Sequence, residues 1–214
     1  AGQSGVTVTL NLVSKYEDRL GNKVDWNGGN DLQAKMASLD YRFSQTVVGN
    51  LMRWNSEFPK LQLWQDSGNG PGADVNTCYG GFWLHKLYPE EISESVWRKV
   101  PNSTLYQLNE AYLNYAEALN EYNEGPTQEA YDAINTIRKR SGQPDLPTGL
   151  GYLEFRAKVR NERAIELAFD GHRFYDIRRW MIAEEEGVMQ GGMLGIKIYQ
   201  IPESTEYRLS LIHI

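Results

Sequence analysis

Between Pro101 and Phe169 apolar residues recur three and four positions apart, and a chain with that period buries them only as packed helices. Leu105, Leu108, Tyr112, Tyr115, Leu119 and Tyr122 make one such stripe, with Asn102, Ser103 and Thr104 offering a cap ahead of it. The turn NEGP ends that helix. Thr127 caps a second one, which turns Ala130, Ile134 and Ile137 inward. Arg138, Lys139 and Arg140 sit at its negative C-terminal end, and Gly142 and Pro144 stop it. A helix of about 18 residues, a tight turn and a second of about 14 form an antiparallel pair of tetratricopeptide size. No second copy follows at a fixed period. A third helix is predicted from about Tyr152 to Phe169, and a fourth from His172 to about Glu185.

The first hundred residues are of another kind, rich in Gly, Asn, Asp and Trp with few long periodic runs. VTVTLNLV (6–13) alternates and reads as a strand. NDLQAKMASLDYRF (30–43) reads as a short helix leading into an extended segment. DSGNGPGAD (66–74) is a loop, because Gly and Pro crowd it. GGFWLHKLYP (80–89) reads as extended, ended by Pro89. Late in the chain GVMQGGMLG (187–195) is a loop and IKIYQI begins a strand or an extended tail.

Bulk properties exclude several functions. Apolar content of 41% and charged content of 23% over 214 residues fit an ordinary globular protein. A net charge of −6 argues against a nucleic-acid partner, since phosphate contacts need clustered Lys and Arg. No apolar run reaches the roughly 20 residues a membrane-spanning helix needs. The single cysteine, Cys78, rules out an internal disulfide framework and a multi-cysteine zinc site. Asp66-x-Gly68-Asn69-Gly70 resembles a calcium loop only loosely, and Cys78 and His85 lack further ligands. No phosphate loop or nucleophile elbow occurs, so neither metal nor cofactor is expected. The last six residues, LSLIHI (209–214), are the translation of a transposon end used in sequencing libraries. The expectation is that they are adapter read-through, the true protein being cut off after about Arg208.

One stretch poses a chemical question. In NERAIELAFDGHRFYDIRRW (161–180), the helical face of Tyr152, Phe155 and Val159 continues through Glu162 and Glu166 to Phe169. Two carboxylates thus interrupt an apolar stripe, with Arg173, Arg178 and Arg179 beyond the Asp170-Gly171 turn. A catalytic pair, an anion site and a buried structural lock are the alternatives. Two carboxylates one turn apart on one helix do not flank a glycosidic bond from opposite sides. A carboxylate held by a bidentate arginine stays ionised, whereas a general acid needs the reverse. The residues therefore favour a structural ion-pair cluster of Glu162, Glu166, Arg173, Arg178 and Arg179, with no catalytic residue. His172 reads as a hydrogen-bonding residue at a helix start.

Ligand-binding candidates lie earlier. Trp26, Trp54, Trp64, Trp83 and Trp97 precede the helices, in polar, Gly-rich sequence. Sugars present flat C–H faces rimmed by hydroxyls, and a site for them wants aromatic planes edged with Asn, Asp, Gln or Arg. RWNSEFPKLQLWQDSGNG (53–70) supplies Trp54 and Trp64 with Asn55 and Asp66, and DWNGGND (25–31) supplies Trp26 with Asn27 and Asn30. Trp83 and Trp180 are better core candidates. A tryptophan in a loop layer also often packs onto the helices beneath.

LNEAYLNYAEALNEY (108–122), AINTIRKRSGQPDLP (133–147) and RNERAIELAFDGHRFYDIRRW (160–180) together resemble the SusD/RagB-like outer-membrane nutrient-binding lipoproteins of Bacteroidetes. LDYRF (39–43) and GGFWLHKLYP add weaker support. The resemblance implies a mainly α fold, with a SusD-like, TPR-like helical core, a loop-rich layer and a few short strands. On that reading 1–100 is the loop-rich ligand-facing layer and 101–208 the helical core, together the C-terminal half of a larger domain. The lipidated N-terminal cysteine and earlier helical repeats would lie outside this sequence. The resemblance further implies that the Glu-Arg-rich helix pair is framework without enzymatic activity. It also implies a cell-surface role, binding oligosaccharide and passing it to a TonB-dependent SusC-like transporter. Peptide-binding members of the same family, and a plain helical-repeat interaction module, are the alternatives.

Overall fold

The computed structural model of the chain describes residues 7–71, 79–88 and 104–214. In chain order its elements are α1 (Leu10–Val13), α2 (Leu32–Ser38), α3 (Tyr41–Thr46), β1 (Val47–Val48), β2 (Trp83–Leu84), α4 (Leu108–Tyr122), α5 (Gln128–Arg140), α6 (Tyr152–Glu166), α7 (His172–Arg179), β3 (Leu194–Gln200) and β4 (Tyr207–His213). The fold is mainly α, as expected.

The helical layer is α4 packed on α5 and α6. Its core holds Leu113, Ile134, Ile137, Phe155, Val159 and Leu167. Thr127 starts α5 by accepting from the Ala130 amide at 3.3 Å, a capping bond that satisfies one free donor of the first turn. Glu154 does the equivalent for α6 through the Gly151 amide at 2.9 Å. Beyond α6, Phe169 (φ 63°) and Gly171 (φ 84°) turn the chain into α7.

The inward face of α4 differs from the predicted stripe. Leu105 is 95% exposed, and Leu108, Tyr115 and Tyr122 are also exposed. The buried line is Leu113, Ala116 and Asn120, flanked by partly buried Tyr112 and Leu119. Small side chains at 116 and 120 let α5 and α6 approach closely, and Asn120 Nδ2 donates to the Tyr152 carbonyl at 3.2 Å. Close helix packing has selected the small side of α4 and left most of the tyrosines facing out.

The other layer is assembled from both ends of the sequence. β1 and β2 pair antiparallel, Val47 with Leu84 and Val48 with Trp83. β3 and β4 form a second antiparallel hairpin, from Leu194↔His213 to Gln200↔Tyr207. Tyr16, Phe43, Phe82, Leu61, Ile196, Ile198 and Leu209 share one core, with edge-to-face contacts at 5.6 Å (Tyr16–Phe43) and 6.3 Å (Phe43–Phe82). The C-terminal hairpin therefore packs with the early layer, although it follows the helices in sequence. β3 passes directly over the Gly80-Gly81 backbone, where Ile196 N donates to Gly80 O at 3.2 Å. A Cβ on Gly81 (φ 79°) would stand 2.6 Å from Ile196 O.

Three early expectations change. In VTVTLNLV only the start is extended: Thr7 bridges Trp83, Val8 N donates to Phe82 O at 3.2 Å, and Leu10–Val13 then coils into a helical turn. Leu10 and Val13, three apart, both reach the core that way. In LDYRF, Asp40 accepts from the Arg42 amide at 2.8 Å and caps a second helix where extended chain was expected. The fourth helix ends at Arg179, short of Glu185. The LSLIHI segment supplies most of β4. Its Leu209 is buried and donates its amide to Gly29 O at 3.1 Å, whereas Leu211 and Ile214 are exposed.

Candidate functional site

Glu162 and Glu166 are buried, at 1% and 7% exposure, and each oxygen is occupied. Arg42 Nη1 donates to Glu162 Oε1 at 2.6 Å and to Glu166 Oε2 at 2.8 Å, while its Nε donates to Asp40 at 3.0 Å. Arg138 Nη1 donates to Glu162 Oε2 at 3.0 Å, and its Nη2 to Glu17 at 3.0 Å. Lys158 reaches the other Glu17 oxygen at 2.6 Å. Arg140 and Asn109 both donate to Glu166 Oε1. Burial opposes the charge on Arg42, but Glu162 and Asp40 outweigh it and raise its pKa above the usual arginine value.

The arginines expected as partners stand elsewhere. Arg163 follows Glu162 by one residue, hence about 100° round the helix, and it takes the α7 carboxylate Asp176 at 2.7 Å. That contact fixes α7 against a different face of α6 from the one bearing the glutamates. Arg179 donates to Asp176 at 2.8 Å and to Glu117 at 2.8 Å. Arg178 donates to the Phe174 carbonyl at 2.7 Å and lies over the Phe174 ring. Arg173 makes no hydrogen bond or ion pair among the described residues. His172 sits at the start of α7, 3.7 Å from Glu110. Arg138 left a signal in the sequence, an arginine on the inward stripe of Ile134 and Ile137. Arg42 left none.

The aromatic candidates divide. Trp26 is buried at 4%, set edge-on against Phe82 at 5.9 Å, and presents no face to a ligand. Asn55 is buried as well, and its Oδ1 accepts from the Glu57 and Phe58 amides at 2.9 and 2.8 Å, closing its own turn. Asp66 is exposed and bonded by Gln65 at 2.7 Å. Trp64 is partly buried, its ring 5.1 Å from Tyr207. Trp54 is partly buried and held rigidly: its Nε1 donates to Leu84 O at 3.1 Å, and Trp83 meets it edge-on at 5.3 Å. Phe58 and Tyr88 flank it, each 5.7 Å away, and Tyr88 is 41% exposed. Buried Trp83 thus backs a surface ledge of Trp54, Phe58 and Tyr88. Phe58 and Tyr88 escaped the sequence reading, although each stands beside a proline in the two aromatic segments. Trp83 is core, while Trp180 is partly exposed, between Arg160 and Arg179, with its Nε1 donating to Glu117 at 2.7 Å. Trp97 and Cys78 lie outside the described residues. His85 Nδ1 contacts Ser44 O at 2.8 Å, and no metal-holding group of His, Cys, Asp and Glu occurs among the described residues.

Comparison with known proteins gives a consistent result. The model of the SusD family matches residues 1–210. The SusD-like protein P25 of Formosa agariphila is 29% identical over 157 residues, covering 71% of this chain and 25% of that protein. The SusD-like protein P2 of the same bacterium is 40% identical over 83 residues, covering 36% of this chain and 16% of its own length. Among solved structures, a SusD-like protein from Bacteroides fragilis superposes with a TM-score of 0.83 at 23% identity, over 99% of this chain and 41% of that one. A SusD-like carbohydrate binding protein from the same species superposes with a TM-score of 0.71 at 24% identity, over 92% and 39%. The chain thus spans a quarter of the length of the first of these relatives and about two fifths of the solved ones. With a family model matched across nearly its whole length and the same helical fold beneath it, this chain belongs to the SusD family.

Proposed function

We propose that this chain is part of a cell-surface protein that binds oligosaccharide and delivers it, uncleaved, to a TonB-dependent SusC-like transporter in the outer membrane. The observation that carries the reading is the ledge of Trp54, Phe58 and Tyr88. A partly exposed aromatic group, fixed from behind by Trp83 and the Leu84 carbonyl, suits stacking on the C–H face of a sugar. One solved relative is itself described as carbohydrate binding. The carboxylates support the uncleaved part of the reading: each oxygen of Glu162 and Glu166 already accepts from an arginine, which leaves neither free to act as a general acid. Attachment to the membrane through an N-terminal lipid belongs to the same proposal. Among the described residues no helix is long and apolar enough to cross a membrane.

Calorimetric titration of the full-length protein against plant, host and microbial glycans tests this reading, with chromatography of the ligand afterwards. A Kd of roughly micromolar to millimolar, about −8 to −4 kcal/mol, is expected, with the ligand recovered intact. Hydroxyls are well solvated before binding, and a protein that passes its ligand onward gains nothing from slow release. Released sugar would overturn the non-enzymatic reading. Capture of peptides with no glycan bound would move the protein to the peptide-binding branch of its family.

A further inference from the structure

Around Lys15 and Arg173 positive charge gathers without a paired carboxylate among the described residues. Two cavities meet there. One, of about 760 Å³, lies among α1, the α6–α7 turn and residues 187–193. The other, of about 400 Å³, lies between α6 and residues 182–188. Lys15, Arg173, Trp180 and Val188 line both. Among the described residues the Lys15 ammonium and the Arg173 guanidinium have neither hydrogen bond nor ion pair. Arg160 completes the group: its Nε is buried without a partner, and its guanidinium lies 4.7 Å over the Trp180 ring.

Nearby carboxylates do not balance these cations. Asp176 is shared by Arg163 and Arg179, and Glu121 is taken by Arg156. Glu185 is left in the smaller cavity to face Lys15, Arg160 and Arg173. In a chain of net charge −6, such an excess is local. Desolvated cations without partners are unfavourable. Burial lowers the Lys15 pKa and Arg173 lowers it further; burial also lowers that of Arg173, against the opposing pull of Asp176. The buried ion-pair network achieves the opposite balance a few residues away, where each carboxylate has its arginine. An incoming anion would supply here what the fold omits.

We propose that this junction is an anion-binding subsite for a carboxylate or sulfate group, carried, on the glycan-binding reading above, by an acidic sugar. Arg173 offers a planar fork that matches two oxygens and Lys15 a point charge, with the Arg160 guanidinium beside them over the Trp180 ring. An adjoining cavity of about 760 Å³ leaves room for the sugar ring that bears the group.

Two probes test it on the full-length protein: sodium sulfate against sodium chloride at equal ionic strength, and oligogalacturonate against a neutral oligosaccharide of the same length. Lys15→Gln and Arg173→Gln are the variants. Sulfate should raise the melting temperature of the wild type saturably and leave both variants unmoved. The acidic oligomer should bind about tenfold or more tighter than the neutral one, a preference both variants abolish. Each variant should melt at or above the wild-type temperature, because neither cation gives up a partner. Equal binding of acidic and neutral oligomers, with silent variants, would overturn the subsite and leave the glycan reading standing. Sulfate stabilisation lost in the variants, with no glycan bound, would support the anion site while removing the sugar as its source. No sulfate effect, together with variants that melt early, would show that both cations are structural and would end the proposal.

Discussion

Glu162 holds Arg42 on one oxygen and Arg138 on the other; without it Arg42 keeps Asp40 and Glu166, whereas Arg138 Nη1 has no other acceptor among the described residues. Glu162→Ala leaves two buried guanidiniums underpaired, and the expected loss is about 3–5 kcal/mol, measured by chemical denaturation. Arg178→Ala is the matched control. Among the described residues it bonds a carbonyl of its own helix and lies over the exposed Phe174 ring, at the surface, and its loss should change stability by no more than about 0.5 kcal/mol. Equal effects of the two variants would remove the buried network from the account. Tyr16 gives a separate handle. Burial raises its pKa from 10.0 to about 12. Between those values the unfolded chain has released the proton and the folded chain still holds it, so stability falls as pH rises, by about 1.4 kcal/mol per unit. Tyr16→Phe should flatten that alkaline slope in melts taken across the same window. At this scale the sequence disclosed half of the site. Burial of the glutamates was visible because helical period placed them on an apolar stripe. Their partner Arg42 was not, because it lies 120 positions from Glu162 and only tertiary packing brings the two together.

The capped α5 was the readable helix, whereas α4 starts at Leu108 after Gln107 and not at the expected Asn102–Thr104 cap. Thr127, the Arg138–Arg140 end and Gly142 bound α5 as their local chemistry requires, since capping acts within one turn. Faces were less readable than ends. An apolar stripe of tyrosines and leucines looked inward on α4, but Ala116 and Asn120 won that face because backbone approach needs small side chains. Short elements were read least well. α1 and α3 are too brief for periodicity to show, and both are fixed by what they touch. Glycines offer a test of the close approach that joins the layers. Gly149 (φ 80°) has open space around its Cβ direction, so Gly149→Ala carries only backbone strain, about 1–2 kcal/mol. Gly81→Ala adds overlap with the Ile196 backbone to the same strain and should cost clearly more. Paired denaturation curves check the order. Equal losses would mean that β3 does not ride on the Gly80-Gly81 backbone.

As a whole the molecule is two cores clasped by charge. Arg42 ties α3 to α6, and Arg138 ties α5 both to α6 and to Glu17 in the early layer. A clasp of that kind fixes how the aromatic layer sits on the helices, and so where the ledge of Trp54, Phe58 and Tyr88 faces. It also corrects a natural assumption about Trp54. Because that ring is partly buried and bonded to Leu84, Trp54→Ala should lower the melting temperature as well as affinity. Tyr88 is the cleaner probe. The most direct test is therefore calorimetric titration of full-length wild type and Tyr88→Ala with the best glycan of the panel. Binding by the wild type, weakened about tenfold in Tyr88→Ala at an unchanged melting temperature, is what the account predicts, since an aromatic contact contributes about 0.5–1.5 kcal/mol beyond its buried area. Identical titrations for the two proteins would place sugar recognition away from this ledge and contradict it.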